Sequence, residues 1–282
     1  MVSNRKKISG KYKKEKISLV AGAIMLISSE ELHQILNDSN VLIVDARSYK
    51  EYSQGHIPGA VNLDLFAFHW IDTTEEGIIS FNEQMRKILS YAGIDENRKV
   101  IFYDNISGML AARGVWLCLY FSHPNVSMLN GGLKTWIATD FKLETKSNVS
   151  NPTNLTTPID ASILVGAEYV EKNIGKAIII DARSPEEFNG KTARAARIGH
   201  IPSAINLDWA ENVDESGKFK SDEKLSKMYQ FNKESEVITY CQGAYRAANS
   251  FLSLKKLCFK NVKVYLGSWG EWGNRLDLPV EN

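Results

Sequence analysis

The chain has 282 residues, with 34 Lys and Arg against 33 Asp and Glu and a formal net charge of +1. That balance excludes the overall basic bias of a nucleic-acid-binding or membrane-surface protein, and 44% hydrophobic with 24% charged residues suits a soluble chain long enough for two domains. Three cysteines cannot build a paired framework, and no Cys-x-x-Cys or His-rich spacing points to a metal, so no metal site and no cofactor is expected.

In chain order, Arg5, Lys6, Lys7, Lys11, Lys13, Lys14 and Lys16 precede an apolar run, Ile17 to Ile27. Basic then apolar resembles an export signal, which keeps an exported protein as the alternative. The run falls short of the roughly 20 residues of a membrane span, and no convincing small-x-small cleavage site precedes the start of the fold. Residues 1–24 therefore read as a basic extension of a cytoplasmic protein. Leu26-Ile27 predicts a first strand, and Ser28 or Ser29 caps a helix over Glu30–Leu36. The unbroken apolar runs Val41–Val44, Val100–Tyr103 and Val126–Leu129 predict buried parallel strands, with a helix over Asn82–Ala92 between them. Residues 142–159, rich in Ser, Thr and Asn with two prolines, read as a linker. Beyond it Ala177–Ile180, Val237–Tyr240 and Val262–Tyr265 predict strands again, with a helix over Asp222–Gln230. Strands alternating with helices imply an α/β fold with mainly parallel sheets.

The second run of elements repeats the first. Asp45-Ala-Arg-Ser48 recurs as Asp181-Ala-Arg-Ser184, and Gly55-His-Ile-Pro58 as Gly199-His-Ile-Pro202. Tyr103-Asp104 aligns with Tyr240-Cys241, and Asn130–Trp136 with Leu266–Trp272. The domains expected are 25–141 and 160–282. The repeat also serves as a control: a feature present in both copies belongs to the fold, and one present in a single copy is a candidate for function. Arg47 and Arg183 then read as structural partners of Asp45 and Asp181, and His56 and His200 as turn histidines. Asp104 stands in the place of Cys241 and Leu110 in the place of Arg246, so one active site is expected, in the second copy. That copy also has an insertion carrying Lys191, Arg194 and Arg197, of which Arg197, two residues before Gly199, is expected to face the site.

Cys241 ends an apolar β-branched run, and a helix begins a few residues later. A helix N-terminus offers unpaired N–H groups and a partial positive charge. Gln242, Gly243, Ala244, Tyr245 and Arg246 can curl into an anion-binding nest, Gly243 and Ala244 allow the tight curl, and Arg246 adds a permanent cation. Such a place favours a thiolate and an anion docking onto it. No histidine or acid adjoins Cys241 in the chain, which argues against an acyl-transfer or protease site. Cys118 and Cys258 lie in apolar helical runs and are expected to be ordinary buried thiols.

Asp181-Ala-Arg-Ser-Pro-Glu-Glu-Phe188, Gly199–Asp208, Cys241–Arg246 and Gly267-Ser-Trp-Gly-Glu-Trp-Gly273 together resemble the tandem-domain rhodanese family of sulfurtransferases. The resemblance implies two rhodanese-like domains, the first catalytically inactive. It implies a Cys241 persulfide formed from thiosulfate, with 3-mercaptopyruvate as the alternative donor, and cyanide or a thiol as acceptor. No nucleic-acid partner and no stable membrane association are implied. By the family pattern Arg183, with Arg197 or Arg194, binds the donor anion, and Arg246 lines the loop mouth. The loop Cys-Gln-Gly-Ala-Tyr-Arg lacks the small hydroxyl residue typical of mercaptopyruvate enzymes and is not the Cys-Arg-Lys-Gly-Val of the best-known thiosulfate enzymes. Its four residues between Cys241 and Arg246 fall one short of the Cys-x5-Arg loop of related phosphatases.

Overall fold

The computed structural model describes residues 25–282, so the expectation for the basic extension over residues 1–24 lies outside the described residues. The first half runs β1 (Met25–Ile27), α1 (Ser29–Gln34), β2 (Val41–Asp45), α2 (Tyr49–Gln54), β3 (Val61–Asn62), α3 (Glu75–Tyr91), β4 (Lys99–Tyr103), α4 (Met109–Tyr120), β5 (Val126–Leu129) and α5 (Gly132–Ala138). The second runs β6 (Leu164–Val165), α6 (Ala167–Lys172), β7 (Ile178–Asp181), α7 (Pro185–Phe188), β8 (Ile205–Asn206), α8 (Asp222–Met228), β9 (Glu236–Tyr240), α9 (Tyr245–Lys256), β10 (Asn261–Tyr265) and α10 (Ser268–Trp272). Each half is a five-stranded sheet, ordered β1-β5-β4-β2-β3 and β6-β10-β9-β7-β8, and every pairing is parallel. Both faces of each sheet are covered, as unbroken apolar strands require. Leu42, Val44, Val100 and Phe102 point into the core between the two halves, while Ile43, Ile101 and Tyr103 face the opposite side with Trp136.

Local signals set the helix starts. Ser28, Ser48 and Ser184 each form a capping box with the glutamate three residues on. The helix expected from Asn82 begins earlier, at Glu75, because Thr74 caps it and Gly77, Phe81, Met85 and Leu89 form its buried stripe. His56 and His200 hold turns: each ring stacks on an aromatic neighbour, Tyr52 or Phe188, at 3.7 Å, and each Nδ1 pairs with that neighbour's carbonyl. Cys118 is buried, and burial pushes its thiol up. The expectation for Cys258 is corrected. It is exposed because the chain leaves α9 there through a left-handed residue, φ 65°, which ends the apolar stripe.

The halves share a core. α4 and α9 pack against each other, and one apolar cluster contains Val115, Trp116 and Phe121 of the first half with Phe251, Leu252 and Leu254 of the second. Polar ties cross the same boundary. Asn249 Nδ2 donates to the Ser107 carbonyl at 2.9 Å, the Tyr245 hydroxyl to the Leu65 carbonyl at 2.7 Å, and the Thr73 hydroxyl to the Glu271 carboxylate at 2.8 Å. The stretch expected as a linker lies along the first half. Thr153 N–H donates to the Ser90 carbonyl at 2.9 Å, Arg86 holds the carbonyls of Leu155 and Thr157 at 2.9 Å each, and Leu155 is fully buried. Among the described residues no helix is long and apolar enough to cross a membrane.

Candidate active site

Strand alternation aims Cys241. Ile238 and Tyr240 point into the outer core of the second half, whereas Val237 and Cys241 face the core shared with the first. The thiol, on a residue only 1% exposed, therefore opens toward the junction of the two halves.

The loop after it is held from beneath by the start of α10. Ser268 Oγ accepts from the N–H groups of Cys241 (3.2 Å) and Ala244 (3.1 Å) and donates to the Tyr265 carbonyl (2.9 Å). Trp269 and Gly270 N–H donate to the carbonyls of Cys241 and Gln242, at 2.8 and 2.9 Å. The tight curl falls on Ala244, φ 65°, a conformation costing an L-residue roughly 1 kcal/mol. Gly243 serves a different purpose: a Cβ there would lie 2.8 Å from His69 Cδ2. With these bonds made, the N–H groups of Gln242, Gly243, Tyr245, Arg246 and Ala247 have no acceptor among the described residues. They border the thiol and supply the donors of an anion nest.

The first half shows the corresponding loop filled. The Asp104 carboxylate accepts from the N–H groups of Ile106, Gly108, Leu110 and Ala111 at 3.0–3.2 Å. Burial nonetheless pushes that carboxyl up to about 6, against the pull of these donors. One copy of the loop clasps its own anion, and the other presents a thiol with free donors beside it.

A cavity of about 280 Å³ opens over Cys241. Arg194, Trp209, Gln242, Gly243, Tyr245 and Arg246 line it from the second half, and Phe66, His69 and Met109 from the first. In space, unlike in the chain, a histidine does lie beside Cys241: His69 lines the same cavity. His69 Nδ1 pairs with the Phe66 carbonyl at 3.0 Å, and its ring packs on Tyr245 at 5.0 Å. Burial pushes the Tyr245 hydroxyl up to about 12.

The arginines divide. Arg246 lines the cavity, bound bidentately to Glu187 at 2.5 and 3.0 Å. Burial opposes its charge, but the bonds to Glu187 outweigh it and leave the guanidinium above its ordinary value. Arg194 also lines the cavity and reaches the same carboxylate at 3.1 Å, while its carbonyl accepts from Gln242 Nε2 at 3.0 Å. Burial works against the Glu187 charge, and these two cations reverse it, holding the carboxyl below its ordinary value. Two expectations are corrected. Arg197 is turned away from the cavity, because its guanidinium caps the carbonyls of Trp272 (2.6 Å), Leu278 (2.7 Å) and Arg275 at the end of α10. Arg183, expected by family pattern to meet the donor anion, is buried on Asp181 (2.6 Å) and the Gly199 carbonyl (2.8 Å), over the Trp269 ring at 4.5 Å. Arg47 makes the same contacts with Asp45 and Gly55, as the repeat control implied.

Glu187, Ser268, Trp209, Phe66, His69 and Met109 escaped the reading of the sequence. Glu187 was visible as the last position of the capping box after Ser184, and Ser268 lay inside a motif already noted. The three first-half residues carry no signal until the halves are docked.

A family model of the Rhodanese-like domain matches residues 28–139 and 166–275. The chain is 31% identical over 272 residues to a thiosulfate sulfurtransferase of Pseudomonas aeruginosa, covering 94% of this chain and 100% of that one. It is 32% identical to the sulfur carrier protein TtuD of Thermus thermophilus, covering 91% and 96%. Among solved structures it is similar to SseA from Escherichia coli, described as a 3-mercaptopyruvate sulfotransferase, with a TM-score of 0.75, 28% identity and coverage of 88% and 99%. Two family domains in tandem, with a thiol at the strand end of the second, make this chain a member of the rhodanese family of sulfurtransferases.

Proposed function

We propose that this sulfurtransferase takes sulfur from thiosulfate and carries it as a persulfide on Cys241. The observation that carries the reading is a thiol beside N–H donors with no acceptor among the described residues, in a loop whose twin clasps a carboxylate. The Cys241 thiolate attacks the outer sulfur of thiosulfate, the S–S bond breaks, and sulfite leaves with the bonding pair. An acceptor thiolate, or cyanide, then takes the outer sulfur and returns Cys241 as thiolate. Neither step needs an external oxidant. The free N–H groups hold the anionic sulfur, and Arg194 and Arg246 on Glu187 border the donor's charged end. Gln242 and Tyr245 shape the wall, Ala244 sets the loop curvature, and Gly243 leaves room for His69. The cavity of about 280 Å³ suits a small-molecule donor and acceptor. A cytoplasmic setting, where thiols stay reduced, suits a thiol acceptor. The first domain, with Asp104 in place of the cysteine, serves as a wall of the site.

A second reading has 3-mercaptopyruvate as donor, favoured by the similarity to SseA along 99% of that chain. The missing hydroxyl residue in the loop weighs for thiosulfate. Side-by-side kcat/KM for the two donors decides. Mass spectrometry should show one added sulfur atom on Cys241 after incubation with thiosulfate, and none in Cys241→Ser. A higher kcat/KM for mercaptopyruvate would reverse the donor assignment.

A further inference from the structure

The charges at the cavity cancel. Arg194 and Arg246 share Glu187, and Asp208, half-buried beside the cavity's Trp209, lies within charge range of Arg246. Arg183 is spent on Asp181. A net pull on anions beyond the loop's N–H donors needs a further positive charge.

Arg113 is one. It lies on α4 one turn beyond Met109, which lines the cavity. It is 2% exposed. Among the described residues it makes no ion pair, and its Nη1 is buried without an acceptor. Aromatic rings surround it: Trp116 at 4.6 Å, Tyr245 at 5.4 Å and Phe81 at 5.7 Å from the guanidinium carbon. Such π faces ease the burial of a cation without cancelling its charge. Burial pulls the guanidinium below its ordinary value, and Tyr245 and Cys241 are the groups that pull it back. Tyr245 is the first residue of α9 and lines the cavity, so the cation packs on a ring of the site wall, and a buried positive charge is unfavourable without an anion beside it.

The repeat again supplies the control. Arg113 follows Ala111-Ala112 on α4, and Asn249 follows Ala247-Ala248 on α9. Each crosses the domain boundary toward the other half's loop, Arg113 to Tyr245 and Asn249 to the Ser107 carbonyl. The loop that holds its own carboxylate, Asp104, faces a neutral amide. The loop with free donors faces a buried cation.

We propose that Arg113, a residue of the non-catalytic first domain, is a positioning residue whose uncancelled charge draws anionic sulfur donors onto Cys241. This rests on the sulfurtransferase reading insofar as the donor is an anion. The test needs no turnover. Cys241 is alkylated in parallel with iodoacetate, an anion, and iodoacetamide, its neutral analogue, with labelling read at Cys241 by mass spectrometry. Arg113→Met should lower the iodoacetate-to-iodoacetamide rate ratio roughly tenfold, the order expected for one unit charge in a partly buried setting. Arg113→Lys should keep most of it. The thermal midpoint of Arg113→Met should hold or rise, because an apolar side chain of similar length replaces an unpaired buried charge. An unchanged ratio, or Arg113→Lys as deficient as Arg113→Met, would overturn the proposal. So would failure of both Arg113→Met and Arg113→Gln to fold, since the cation would then be structural. If the wild-type protein shows no thiosulfate turnover, the proposed function fails while the alkylation ratio still decides the role of Arg113.

Discussion

Ser268→Ala removes one oxygen and orphans three backbone groups. Ser268 Oγ is the acceptor for Cys241 N–H and Ala244 N–H and the donor to the Tyr265 carbonyl, and the residue is fully buried. Each stranded buried N–H costs about 1–3 kcal/mol. The loop borders a cavity that water can enter, so the lower half of that range applies, and the variant should lose about 2–4 kcal/mol. For a chain of this size that lowers the thermal midpoint by roughly 3–7 °C. Ala244 needs its N–H anchored to stay left-handed, so turnover of thiosulfate and cyanide should fall at least about tenfold even at temperatures where the variant is folded. Ser268 itself has φ 53°. Ser268→Gly loses the same hydroxyl but sheds that strain, and should be about 1 kcal/mol more stable than Ser268→Ala. Urea titration gives the stabilities and the cyanide assay the rates. The reasoning is refuted if Ser268→Ala stays within about 0.5 kcal/mol of wild type, or if Ser268→Gly is the less stable of the two.

Gly243→Ala should cost about 1 kcal/mol because its Cβ meets His69, and the cost should vanish in a His69→Ala background; additive effects in a urea-melt double-mutant cycle would show that the glycine answers to something else. Asp104 has a folded value pushed up to about 6 against roughly 3.9 unfolded, so between those pH values the folded state binds the extra proton. Its contribution is present below pH 4 and lost as pH rises toward 6, by roughly 3 kcal/mol at most. Urea midpoints across that window should fall less steeply in Asp104→Asn than in wild type; parallel curves would contradict this.

The fold was largely legible because its signals are local. Apolar runs ending at Asp45 and Asp181, serine caps followed by glutamate, and the repeat itself fix two parallel sheets without reference to distant contacts. The nucleophile loop was legible for the same reason. The arginines were not. Chain proximity to Gly199 pointed Arg197 at the cavity, but the carbonyls at the end of α10 were nearer in space and claimed it. Arg183 had been read two ways, and its match to Arg47 was the better guide. Three of the ten residues of the cavity wall are Phe66, His69 and Met109, whose placement depends on how α4 meets α9, and no periodicity encodes that docking.

The core between α4 and α9 has a thermodynamic consequence. Two homologous domains joined by a linker would ordinarily melt as separate units. Here Trp116 and Phe251 belong to one apolar cluster, so unfolding either half strips water-excluding cover from the other. The two halves are therefore expected to unfold in one cooperative transition. Deleting the copy with Asp104 in place of the nucleophile would leave the buried apolar flank of α9, with Phe251, Leu252 and Leu254, without cover.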